Sequence, residues 1–382
     1  MTDSRLPRPE IDPDGLREFS VVFTDRSLNH MSRRFQSVMR DLSAWLAETY
    51  GAAEVAIVPG GGTMAMEAVA RQFARDADVL VLRNGFFSYR WSQILDAGGF
   101  ARQATVVMAR PAGNDARPAF APAPIDEVEA AIARARPQVV FAPHVETAAG
   151  IILPEDYVTR MAAAAHGVGA LMVLDCIASG AIWIDMAATG VDVLISAPQK
   201  GWSSTPAAGL VMLSPRAVAR LAETTSDSFA LDLRKWRAIM AAYEGGGHAY
   251  HATMPTDSLV SLHAAMAETR RMGLAEARAA QQRLGAAVRA ELAARGIRPV
   301  AAEGYGAPGV VVSYTDDPAI RSGAAFAAAG VQIAAGVPLQ VGEGEGFSTF
   351  RLGLFGLDKL ADVDATLSRL RAAFDQVLGP PA

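Results

Sequence analysis

Lys200 is one of only three lysines in a 382-residue chain that carries 32 arginines. It follows the apolar stretch from Val191 to Ser196 and precedes Gly201, Trp202, Ser203 and Ser204. A guanidinium stays protonated, whereas a lysine held against apolar walls can shed its proton and condense with an aldehyde. Residues just past strand ends build the ligand sites of open α/β sheets, so Schiff-base chemistry is the expectation for Lys200. Lys235, between Arg234 and Trp236, and Lys359, after Asp358, read as surface lysines.

Four further groups stand at comparable places. The turn Pro59-Gly60-Gly61-Gly62-Thr63 leads from a strand pattern into a helix pattern, and the unpaired N–H groups of a helix N-terminus suit a phosphate. It lacks the Gly-Lys-Ser/Thr ending of a nucleotide loop, which favours one phosphate over three. Asp175 ends the apolar run Ala170 to Leu174. A carboxylate there either caps the next turn or meets a cation, because an isolated charge in low dielectric is costly. Phe87, in Asn84-Gly85-Phe86-Phe87, can stack on a flat ligand or pack in the core. Arg351, in Phe350-Arg351-Leu352-Gly353, lies inside an apolar strand pattern. Its fork would meet either an internal acid or a substrate carboxylate.

The elements that must hold these groups alternate between strand and helix. Met31, Phe35, Val38, Met39, Leu42, Trp45 and Leu46 recur at helical spacing and stop before Gly51. Short continuous apolar runs follow at 53–58, 79–82, 104–108, 139–142, 170–174, 191–195 and 209–213. Continuous runs separated by helical segments indicate a largely parallel sheet buried on both faces. The expected class is α/β: an N-terminal segment over 1–30, a large domain with a mostly parallel seven-stranded sheet over 31–256, and a smaller C-terminal α+β domain over 257–382. In the last, a long helical region from Leu259 to Arg295 precedes strand patterns at 309–314, 331–335 and 349–354. Gly342 to Gly346 reads as a mobile loop.

Composition narrows the function. A hydrophobic content of 51% supports a large core, and a net charge of −5 with interspersed signs argues against a nucleic-acid surface. Cys176 is the sole cysteine, which excludes an internal disulfide and a cysteine metal cluster. Met1 to Gly15 lacks the apolar core of a signal peptide. The longest apolar stretch, Met161 to Ile184, is broken by His166 and Asp175 and does not read as a membrane span. A soluble, cytoplasmic protein is expected. His144 and His251 lack metal-ligand spacing, so hydrogen-bonded structural roles and no metal are expected.

Lysine, aspartate, phosphate turn and stacking ring together are the parts of a pyridoxal 5′-phosphate site. From about His30 to the C-terminus the chain resembles the class V aminotransferases of fold type I, particularly the alanine:glyoxylate and serine:pyruvate branch. The match is most specific in Asp175-Cys176-Ile177-Ala178-Ser179 and Ser196-Ala197-Pro198-Gln199-Lys200. The resemblance implies a fold type I transferase in which Lys200 carries the cofactor and Asp175 partners its pyridine nitrogen. It implies that Gly61, Gly62 and Thr63 receive the phosphate, with Gln199 close by. Phe87 would stack on the ring, where the family often has tryptophan, Ile177 would touch the opposite face, and Thr147 would hydrogen-bond the ring hydroxyl. Tyr250 and Thr253 would reach the phosphate of the neighbouring subunit in a homodimer, and Arg351 would bind the substrate α-carboxylate. The implied reaction is transamination of a small amino acid to a 2-oxo acid, with glyoxylate or pyruvate as acceptor. Phe19 to Arg26 replaces the family's Pro-Gly-Pro opening, which leaves side-chain specificity open. Rival readings are a lyase or epimerase on the same scaffold and a non-catalytic cofactor-binding protein. A cysteine desulfurase would need a catalytic cysteine later in the chain.

Overall fold

The structure is a computed structural model and describes residues 19–381 apart from Val22 and Asp25. The seven apolar runs become β1 (Glu54–Pro59), β2 (Asp78–Arg83), β3 (Gln103–Met108), β4 (Val139–Pro143), β5 (Leu171–Asp175), β6 (Val193–Ser196) and β7 (Ala208–Leu213). They form one sheet in the order β1-β7-β6-β5-β4-β2-β3. Strands β2 to β6 pair parallel with their neighbours, while β7 runs antiparallel to both β1 and β6. The connection explains the exception. β6 reaches β7 through the Lys200 turn without a crossover helix, and a short link of that kind joins antiparallel strands.

Strands β4 to β7 are buried at every position. Burial on both faces does not extend to β3, which is exposed or half-buried throughout. It is an edge strand, with a sheet neighbour on one side only, and unlike the other edge strand, β1, it is not covered.

Helix α1 (Arg33–Tyr50) starts where the Ser32 hydroxyl accepts the Phe35 N–H at 3.1 Å, and ends at Gly51 in the left-handed region, φ 65°. It buries Phe35, Val38, Met39, Leu42 and Leu46, each contributing about 1.5–3 kcal/mol. Met31 precedes the helix and stays exposed.

The long helical region is two helices, Thr256–Met272 and Leu274–Ala293, broken at Gly273 with φ 96°. That backbone angle is one glycine adopts without a steric penalty. A second, antiparallel sheet holds β8 (Val310–Tyr314), β9 (Ala334–Ala335) and β10 (Thr349–Gly353) in the order β8-β10-β9. The strand expected over 331–335 shrinks to two residues. Within the 342–346 segment, read as a mobile loop, the Glu343 carboxylate accepts the backbone N–H groups of Leu339, Gln340 and Val341. No helix among the described residues is long and apolar enough to cross a membrane.

Register brings the chemistry together. Asp175 closes β5 level with Pro143 on β4 and Ile195 on β6, so segments 144–147 and 197–200 leave the sheet beside it.

Candidate active site

A cavity of about 400 Å³ lies at these strand ends, within the size range of small-molecule sites. Gly62, Thr63, Phe87, Thr147, Asp175, Ile177, Gln199, Lys200 and Arg351 all line it. Gly61 stands just outside as the N-cap of α2 (Gly62–Phe73). Tyr250 and Thr253 do not enter this chain's own cavity: Tyr250 is 58% exposed and its hydroxyl lies 3.3 Å from Thr253 Oγ1. A wider cleft of about 720 Å³ lies elsewhere, beside Met272 and Leu367. Its acids and Arg283 face solvent, and none of Lys200, Asp175, Arg351 or the glycine turn reaches it, so its size does not make it the chemical centre.

Lys200 and Arg351 meet in the smaller cavity, neither in a salt bridge among the described residues. Lys200 Nζ sits 5.1 Å from the centre of the Phe355 ring. Burial, and then the charge of Arg351, lower its pKa below the ordinary lysine range, which favours the free amine. Arg351 lies on β10 opposite Val312 and Ala334 and donates Nε–H to the Ala335 carbonyl at 2.8 Å. Its guanidinium carbon is 5.6 Å from the Phe87 ring centre. The internal salt bridge that the sequence left open is not formed among the described residues.

Asp175 is the opposite case, a buried carboxylate that forms no salt bridge among the described residues. Its Oδ1 accepts the Ile177 N–H at 2.9 Å, so it does fix the next turn. Burial, with the nearby Glu146 carboxylate, pushes its pKa up to about 7 against the partial relief of Ile177 N–H and Arg90. A cation brought to its free oxygen would relieve that cost. Next to it Cys176 is buried, and burial drives its thiol far above the ordinary range. It is therefore no thiolate nucleophile. His144 Nδ1 sits 2.7 Å from Ser179 Oγ, with burial holding its pKa down to about 3, and His251 Nε2 sits 2.8 Å from the Phe229 carbonyl.

At the other end of the cavity, no side chain caps the start of α2, so its first N–H groups remain available to an anion. Gln199 Oε1 is buried nearby with no hydrogen-bond partner. Gly62 is required by close approach: a Cβ there would fall inside Ile177 Cδ1 and lie 2.8 Å from Ile177 Cγ1. Gly62→Ala is thus expected to push Ile177 into the cavity at a cost of about 1–3 kcal/mol. Titration with pyridoxal 5′-phosphate should show affinity weaker by roughly tenfold or more.

Three contributors were not legible as such in the sequence. Phe355 faces Lys200. Arg90 lines the cavity one turn after Phe87 on α3 (Phe86–Gly98), and donates to Thr63 Oγ1 at 3.0 Å. Glu146, fully buried, crosses from the segment after β4 to hold the first turn of α3. Its Oε1 accepts Phe87 N–H at 3.2 Å and Ala148 N–H at 3.0 Å, and its Oε2 accepts Ser88 N–H at 2.9 Å and Ser88 Oγ–H at 2.7 Å. The helix start at Gly85, read with the helical period, would have put Arg90 beside Phe87; nothing local marks Glu146. Glu146→Gln points a donor at donors and is expected to cost about 1–3 kcal/mol, measured as a lower denaturant midpoint.

The donor set asks for a ligand with an aldehyde for Lys200, a protonatable nitrogen for Asp175 and an anion for α2. Pyridoxal 5′-phosphate has all three. A family model described as aminotransferase class-V matches residues 18–311. The 2-aminoethylphosphonate–pyruvate transaminase of Burkholderia mallei is 32% identical over 370 residues, covering 91% of this chain and 93% of its own length. A soluble hydrogenase small subunit from Synechococcus sp. is 31% identical over 291 residues, 74% of this chain and 71% of that one. The alanine–glyoxylate aminotransferase of Nostoc sp. superposes with a TM-score of 0.77 at 23% identity, covering 92% of this chain and 89% of that chain. The chain belongs to the class-V aminotransferases, enzymes that transfer amino groups with pyridoxal 5′-phosphate.

Proposed function

We propose that the protein passes the amino group of a small amino acid to pyruvate or glyoxylate, as a cytoplasmic homodimer with shared active sites. The observation that carries this reading is the meeting of Lys200, Asp175 and Arg351 in one cavity, each without an internal partner of opposite charge among the described residues. The pyruvate acceptor is supported by the relatives named 2-aminoethylphosphonate–pyruvate transaminase. Glyoxylate rests on the family resemblance.

Pyridoxal 5′-phosphate, when bound, supplies an aldehyde carbon and a ring that takes up electrons from the substrate α-carbon. Lys200 would hold the aldehyde end until the substrate's amine takes its place, and the freed Nζ would then accept the proton of the substrate α-carbon and return a proton to the reacting group. Arg351 orients the substrate by two parallel N–H bonds to its carboxylate. Asp175 keeps the ring nitrogen protonated. The amides of Gly61, Gly62 and Thr63, with Gln199, bind the phosphate; Phe87 and Ile177 flank the ring, and Thr147 hydrogen-bonds its hydroxyl. Residues 31–256 form the cofactor-binding domain, and residues 257–382 the smaller domain that brings Arg351. Tyr250 and Thr253 reach the neighbouring copy's phosphate. The exposure of Tyr250, and of Phe229 packed against His251 beside it, supports a covered face there.

Incubation with a panel of small amino acids and either acceptor tests the reading. One donor is expected to yield its 2-oxo acid together with equal amounts of alanine from pyruvate or glycine from glyoxylate. Ammonia release without acceptor consumption would make the protein a lyase instead.

A further inference from the structure

We infer that Arg90 is the counter-cation of the cofactor phosphate. The inference rests on the pyridoxal 5′-phosphate reading of the cavity and adds a residue to it. Three cationic side chains line that cavity, Arg90, Lys200 and Arg351. Lys200 is taken by the aldehyde and Arg351 by the substrate carboxylate, which leaves the phosphate to be neutralised. A phosphate monoester carries about −1.5 to −2 charges at neutral pH, whereas a helix N-terminus offers only about +0.5. Gly61, Gly62, Thr63 and Gln199 add no charge.

Arg90 stands where the missing charge is needed. Its Nη1 donates to Thr63 Oγ1 at 3.0 Å, at the open end of α2, and it forms no salt bridge among the described residues, acting on Asp175 only through space. Its guanidinium carbon lies 5.3 Å from the centre of the Phe87 ring, three residues earlier on the same helix. Three hydrogen bonds that Glu146 accepts from this helix, one from Phe87 and two from Ser88, fix the turn from which both side chains project. The fork is therefore held in place before any anion arrives, which limits the ordering cost of binding it. A second anionic group on the substrate would also attract Arg90, but the bond to Thr63 ties it to the phosphate cradle.

Pyridoxal and pyridoxal 5′-phosphate differ only in the phosphate, so a pair of titrations isolates the role. Full-length chain freed of cofactor, wild type and Arg90→Gln, is titrated with each ligand and followed by absorbance. Arg90→Gln is expected to weaken pyridoxal 5′-phosphate by roughly 10- to 100-fold, the range of a charge-assisted hydrogen bond, and to leave pyridoxal within about twofold. Arg90→Lys, which keeps the charge and loses the fork, is expected to fall between, and it carries the test if the glutamine chain does not fold. Equal losses for both ligands, or an unchanged affinity for pyridoxal 5′-phosphate with a raised KM for the amino donor, would overturn the assignment. A wild-type chain that binds the two ligands equally would overturn the cofactor reading, and this role with it.

Discussion

Lys200→Ala is expected to remain folded and to lose transamination by more than roughly 10⁴-fold, the upper range for one positioned base. The loss is that large because one amine serves both as covalent anchor and as base. The fold does not depend on it. Lys200 forms no salt bridge among the described residues, its pKa is lowered by burial, and Arg351 repels its charge. Removing an unpaired, partly desolvated amine is expected to change stability by less than about 1 kcal/mol. Lys200→Arg separates charge from chemistry, since its guanidinium keeps the positive charge and cannot condense with an aldehyde. It is expected to be as inactive as the alanine variant. Circular dichroism and turnover on the same preparations read both halves of this prediction.

Arg351→Ala is expected to raise KM for the amino donor by roughly 100-fold or more, as when one partner of a desolvated ion pair is removed at about 3–5 kcal/mol. Binding of the cofactor is expected to change little, because Arg351 projects from β10 and not from the phosphate end. A purely structural arginine would give a different pattern, with stability falling and KM unchanged. The structure offers no acid for such a role among the described residues, only the Ala335 carbonyl. A second consequence concerns Lys200. Burial is the first cause of its lowered pKa and the Arg351 charge the next, so Arg351→Ala is expected to move the amine's titration upward. In the cofactor-free chain this appears as acylation of Lys200 beginning at higher pH.

The sequence carried the scaffold well because continuous apolar runs have few other uses in a chain of this length. All seven runs became strands of one sheet. What it could not carry were properties set by neighbours. β3 has the same apolar look as β2, yet its edge position leaves it open to solvent. Gly273 sits in an alanine-rich helical pattern that runs on either side of it, and only its φ of 96° shows a break. The site followed the same rule. Lys200, Asp175 and the glycine turn are marked by position at strand ends, and the structure brings them together. Glu146 and Phe355 matter through what folds against them, Glu146 by capping a helix far away in sequence and Phe355 by facing an amine from another sheet. Tyr250 and Thr253 lie outside this chain's own cavity, and their assignment to a partner's site belongs to the dimer proposal.

Reduction of the cofactor-loaded protein with borohydride, followed by peptide mapping, tests the central claim most directly. The account predicts one modified peptide, carrying the added pyridoxyl phosphate mass on Lys200. A mass on Lys235 or Lys359, or no modified peptide from protein that binds the cofactor, would contradict it.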